Sequence, residues 1–163
     1  METGATYSPS RKYRYELWRI WDARRPNVMF IGLNPSTANE TENDPTIRRC
    51  IGFAHSFEYG GLVVCNLFAY CATDTREMLR AGNPVGHDND AYLISNAKGA
   101  GIVIAAWGNY GRFLNRSKYV AALIPNLYCL KLNASGEPSH PLYLPKDAEP
   151  TIYACHDTGH WRL

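Results

Sequence analysis

Asn27-Val-Met-Phe-Ile-Gly-Leu-Asn-Pro-Ser-Thr-Ala-Asn39 decides the fold of this chain: an apolar run ends at Gly32-Leu33, and a polar, turn-forming segment takes over at once. A strand covered on one face alternates apolar and polar residues. A run that is apolar throughout belongs to a parallel sheet covered on both faces. Three later segments repeat the form, at Gly61-Leu-Val-Val-Cys-Asn66, Gly101-Ile-Val-Ile-Ala-Ala-Trp-Gly108 and Asn126-Leu-Tyr-Cys-Leu-Lys-Leu132.

Helical segments fit between these strands. Asp44-Pro45-Thr46 is a cap followed by proline at the first helical position, which opens a helix reaching about Phe57. Thr73-Asp74 opens a second near Thr75 to Ala81; His87 to Ala97 and Phe113 to Leu123 supply two more. Ahead of them all, Tyr13 to Trp21 alternates apolar with charged residues, as an amphipathic strand or hairpin would. The expected fold is therefore α/β: a three-layer sandwich with a central four-stranded parallel sheet and an N-terminal strand or hairpin. Ligands of such sheets sit beyond the carboxyl ends of the strands. The segments GLNPSTAN, CNLFAYCATD, WGNYG and NASGEPSHP follow the four strands, so the functional site is expected on that edge.

The 163 residues are enough for one domain with a sizeable core, and we expect a single domain over residues 1–163. Hydrophobic residues make up 45% and charged ones 20%, ordinary values for a globular protein. No apolar stretch approaches the roughly 20 residues that span a bilayer, and the N-terminal residues carry no secretory pattern. The five cysteines include no C-x-x-C pair, and Cys50, Cys65 and Cys129 sit in or beside apolar segments as reduced thiols do, which points to a cytoplasmic protein; a monomer is expected. The net charge of +2 neither demands nor excludes a nucleic-acid partner. Arg11, Lys12, Arg14, Arg24 and Arg25 precede the first apolar strand, and Arg48 and Arg49 follow it. They form either a solvated basic face or a surface for phosphates. No Gly-x-x-x-x-Gly-Lys loop or Gly-x-Gly-x-x-Gly fingerprint occurs, which argues against nucleotide kinases and dinucleotide oxidoreductases.

The four strand-end segments resemble those of the uracil-DNA glycosylase-like superfamily. Gly32-Leu33-Asn34-Pro35-Ser36 is similar to its water-activating motif, and Asn66 falls where an asparagine reads the base edge. Trp107-Gly108 resembles the end of its third strand, and His140-Pro141 the start of its last loop. GLNPSTAN, DPTIRRC, NLFAY-x-ATD and WGN carry a closer resemblance, and on them the chain is identified as a member of a bacterial and phage family catalogued as domain of unknown function 1643. Departures are visible too. Ser36 replaces glycine, Asn34 stands where the most active enzymes have aspartate, and no serine follows Pro141.

The resemblance implies a set of roles. Asn34 would orient water, Asp44 would act as base or only cap its helix, and His140 would donate a hydrogen bond to the departing base. Asn66 has both a donor and an acceptor for the edge of a flipped pyrimidine, with Phe68 and Tyr70 stacking on its ring or belonging to the core. Leu142 and Tyr143 would enter the duplex, while Ser36, Thr37, Arg48 and Ser139 would contact phosphates. Each polar residue also has a plainer role as a turn or a strand closure. Cys155-His156-Asp157-x-x-His160 has zinc-ligand types but no partner cluster, so neither metal nor cofactor is expected.

The function expected from these residues is a monofunctional DNA glycosylase that excises a modified pyrimidine. A hypermodified phage base such as glucosylated hydroxymethylcytosine is the suggested target, in anti-phage defence. Two other readings stand beside it: a same-fold enzyme acting on a free nucleotide or in DNA base hypermodification, and a non-catalytic module that binds modified DNA. The partner is DNA in the first and last of these, and a membrane in none.

Overall fold

The computed structural model describes residues 1–153, so Cys155, His156 and His160 lie outside the described residues. The strands are β1 (Glu2–Tyr7), β2 (Arg14–Ile20), β3 (Asn27–Gly32), β4 (Gly61–Asn66), β5 (Ile102–Ala105), β6 (Leu127–Cys129) and β7 (Thr151–Ile152). The α-helices are α1 (Pro45–Ser56), α2 (Thr75–Arg80), α3 (Asn89–Gly99) and α4 (Arg116–Leu123). The strands form one sheet in the order β1-β2-β4-β3-β5-β6-β7.

The four apolar runs are the parallel centre of this sheet, β4-β3-β5-β6. The sheet as a whole is mixed and larger than the expected four strands. The β1–β2 hairpin adds antiparallel to β4, and β7 adds antiparallel to β6. β1 (ETGATY) has no apolar run to announce it; pairing with β2, not propensity, makes it a strand.

Side chains of β3 alternate between two cores. Val28 and Phe30 pack with Ile47, Cys50, Phe53 and Ala54 of α1, whereas Met29 and Ile31 face Met78 of α2, Leu93 of α3, and Val120 and Ala121 of α4. Burial of each such side chain contributes about 1.5–3 kcal/mol. This explains why the central strands are apolar on both faces.

Helix starts follow their caps. The Asp44 carboxylate accepts the Ile47 N–H at 2.9 Å, and Asp74 accepts the Arg76 N–H at 2.9 Å. The fourth helix differs from expectation: residues 109–115 form a 3-10 turn interrupted by extended Phe113, and α4 begins only at Arg116. Leu114 and Asn115 take left-handed φ values of 54° and 58°, which no α-helix can continue through. β6 is also short, three residues instead of seven.

One buried arginine shapes the segment between β3 and α1. Arg19 donates to the carbonyls of Asn39 (2.7 Å) and Glu42 (3.2 Å) and to the Asn43 side chain (2.8 Å). A guanidinium presents five donors in a rigid fork, so one residue can hold several turns of irregular backbone. Residues 36–44 thereby acquire a defined path without regular structure.

Candidate functional site

A cavity of about 500 Å³ opens where β3, β4 and β5 end. That size falls within the usual range of small-molecule sites. Residues from all four strand-end segments reach it: Asn34, Asn66, Trp107 and His140. Ser36, Asp44, Leu142 and Tyr143 also line it. Phe68, Tyr70, Thr37, Arg48 and Ser139 do not.

Asn66 ends β4 and is 3% exposed. Its side-chain nitrogen is buried with no hydrogen-bond partner among the described residues. Leaving such a donor unpaired costs about 1–3 kcal/mol. Gly32 permits this placement, because a Cβ there would lie 2.7 Å from the Asn66 Oδ1. The backbone beneath is pinned from the opposite side: the buried Asn89 amide donates to the carbonyls of Asn66 (2.9 Å) and Leu67 (3.0 Å), and Arg116 Nε donates to Leu67 (2.9 Å).

His140 enters from the segment after β6. Its Nδ1 accepts the Leu142 N–H at 3.3 Å, so in the neutral ring the proton sits on Nε2 and can be donated. Burial lowers the His140 pKa below its ordinary value, with the Asp44 carboxylate acting in the opposite direction. The imidazole is therefore kept neutral. Glu137, three residues earlier, accepts the Trp107 indole N–H at 2.8 Å and the Ser117 hydroxyl at 3.3 Å. Gly108 N–H donates to Pro138 at 2.8 Å. These bonds tie the His140 segment to the end of β5. Nothing in the sequence singles out Glu137, since the indole it meets lies 30 residues away in the chain.

Asn34 is half-buried, and its amide nitrogen donates to the carbonyls of Pro35 (3.0 Å) and Ala72 (2.9 Å). The donor is committed to the loop, which leaves the carbonyl oxygen as the atom able to accept from water. Asp44 is also committed: one oxygen caps α1, and the other accepts the Ala38 N–H at 3.3 Å. It is a helix cap that also faces the cavity.

Two residues expected at a base are elsewhere. Phe68 is 0% exposed in the core, its ring 5.8 Å from Phe113, because the chain after Asn66 turns inward. Tyr70 lies edge-on to Tyr13 at 5.7 Å, and its ring packs against the core beneath α2 and α3. Ser139 is buried and donates to Asn133. Thr37 is exposed away from the cavity. Arg48 lines a shallow neighbouring hollow with Arg49, Phe53, Ser56, Leu142 and Lys146. The cavity mouth carries exposed rings: Tyr143 is 84% and Tyr110 56% exposed.

Sequence reasoning missed Arg14 as a site residue, counting it only within the basic group. It is 3% exposed and lines the cavity. The alternation of β2 gave no sign, because an arginine at a strand's first position ordinarily reads as solvated.

Fold and cavity together define an α/β protein with a mixed, seven-stranded sheet and a cavity at the carboxyl edge of its parallel strands. Within that class, the chain belongs to the family described as Protein of unknown function (DUF1643), whose profile matches residues 14–142. The match runs from β2 to Leu142 and thus takes in every strand that borders the cavity. No curated protein and no solved structure shows a significant match to the chain.

Proposed function

We propose that this protein is a monofunctional DNA glycosylase of uracil-DNA glycosylase-like architecture, which excises a modified pyrimidine and leaves an abasic site. The observation that carries this reading is the buried Asn66 side-chain nitrogen, without a hydrogen-bond partner among the described residues, on the wall of a cavity that the neutral His140 also lines. An amide offers a donor and an acceptor side by side, the complement of a pyrimidine's pairing edge.

In the reaction, the bond from C1′ to the base nitrogen breaks and the base takes the electron pair. Water adds its oxygen to C1′ and releases a proton. His140 Nε2–H donates to the base carbonyl as negative charge grows there, which stabilises the leaving group without transferring charge to the protein. The Asn34 carbonyl oxygen accepts from the attacking water. The Asp44 carboxylate favours the cationic charge that develops at the sugar and can take the water's proton. Leu142 and Tyr143 at the mouth supply apolar surface to occupy the space a flipped base vacates. The cavity leaves room beyond a bare pyrimidine ring, which supports a bulky target such as a hypermodified phage base and a role in defence.

The test is incubation with uracil-containing DNA and with DNAs carrying modified cytosines, followed by alkali and mass spectrometry of the released bases. Strand breaks and one liberated base are expected, both lost in Asn66→Leu and His140→Ala. An absence of abasic sites across the whole panel overturns the reading.

A further inference from the structure

Arg14 has no role in the chemistry above, yet it is among the most buried charged side chains of the protein. Among the described residues its side chain makes one hydrogen bond, from Nη1 to the Ala38 carbonyl at 3.0 Å. Its Nε is buried with no partner among the described residues. The Asp44 carboxylate favours the cation only from beyond ion-pair distance: its oxygens accept the N–H groups of Ala38 and Ile47, and Arg14 forms no ion pair among the described residues. Burial pulls the guanidinium pKa down from its ordinary value, the mark of a cation held away from water. A buried charge without a counter-ion is costly, and it is stable where a ligand supplies the opposite charge.

The surroundings are those of an oxyanion. The Ala69–Ala72 segment hydrogen-bonds to Lys12 and Arg14 on one side and to Pro35 on the other, so Arg14, Ser36 and Thr73 come from adjoining segments. Ser36, Thr73 and Thr75 line the same cavity as Arg14, and no hydrogen bond among the described residues occupies their hydroxyls. A guanidinium with neighbouring hydroxyls suits a carboxylate or a phosphate, whose oxygens accept several donors at once.

We infer that the cavity holds a ligand bearing an oxyanion group seated on Arg14, with its pyrimidine edge at Asn66. The nucleobase half of this ligand rests on the function proposed above; the anion half rests on Arg14 and the hydroxyls that line the cavity with it. Two sources share the chemistry: a carboxylate carried on the base, and the 5′-phosphate of a nucleotide.

Isothermal titration of the full chain separates them, with uridine, uridine 5′-monophosphate and 5-carboxyuridine as probes. One of the anionic compounds binds at least about tenfold tighter than uridine. That preference disappears in Arg14→Gln and is partly restored in Arg14→Lys. If Arg14→Gln fails to fold, as judged by its thermal melt, then Thr75→Val with Ser36→Ala lowers the preference instead. Equal binding of all three compounds overturns the inference, as does a preference that survives every one of these variants. The outcome is independent of base excision. Anion preference without base release from any DNA leaves this site standing and removes the glycosylase; base release without anion preference does the reverse.

Discussion

Asn66 and His140 reach the cavity through different physical constraints, and each yields its own expectation. Asn66 depends on the absence of a side chain at residue 32. Gly32→Ala puts a Cβ 2.7 Å from the Asn66 Oδ1 and must displace the amide. Misplacement of about 1 Å costs roughly 100-fold in rate, so base release falls by that order while the thermal melt changes little. His140 depends on staying neutral, because burial lowers its pKa from 6.5 and protonated Nδ1 could no longer accept the Leu142 N–H. Above pH 6.5 the ring is neutral in both folded and unfolded chains, and nothing is lost. Below that, the unfolded chain takes up the proton first. Stability therefore falls as pH drops from 6.5 through the lowered folded value, and melting curves from pH 8 to 5 show a shallower decline for His140→Gln than for the wild type.

Among the elements, α1 and the segment before it have the sharpest consequence. Asp44 serves the helix and faces the site, and two substitutions separate these roles. Asp44→Ala removes both backbone bonds and lowers stability by about 1–2 kcal/mol, read from chemical denaturation. Asp44→Asn keeps an oxygen for the Ile47 N–H and melts close to the wild type, yet loses the negative charge; base release then falls at least about tenfold. An Asp44→Asn protein that is fully active would reduce Asp44 to a cap. The 39–43 segment offers a second case. Arg19→Leu leaves the carbonyls of Asn39 and Glu42 without their buried donor. Loss of charged hydrogen bonds of this kind costs about 1.5–3 kcal/mol each. The variant is expected to be clearly destabilised in denaturant and to lose Asp44 from the cavity wall.

At the scale of the whole molecule, charge is modest and local. The net charge of +2 provides little general attraction for DNA, so the proposed function requires affinity from the few cations near the cavity. Arg48, Arg49 and Lys146 line the hollow that shares Leu142 with the cavity. Each phosphate contact contributes roughly −0.9 to the slope of log affinity against log salt. Fluorescence anisotropy over a range of KCl concentrations is expected to give a shallow slope, reduced by about one unit in Arg48→Ala and again in Lys146→Ala. Slopes unchanged in both variants would place the DNA path elsewhere.

What the sequence determined by itself is the part written in runs and caps. Four strands apolar on both faces imply a parallel centre with helices on each side, and Asp44-Pro45 and Asp74 mark their helices because capping is local chemistry. Polar residues at the strand ends also pointed to one edge, since topology alone carries those ends together. The tertiary structure decided the remainder. β1 is a strand only because β2 lies beside it, and Phe68 belongs to the core only because the chain turns inward after Asn66. Arg14 becomes a cavity residue, and Glu137 a partner of Trp107, through contacts between residues distant in the chain. Periodicity and propensity describe neighbours along the backbone; burial of a charge is a property of what folds over it.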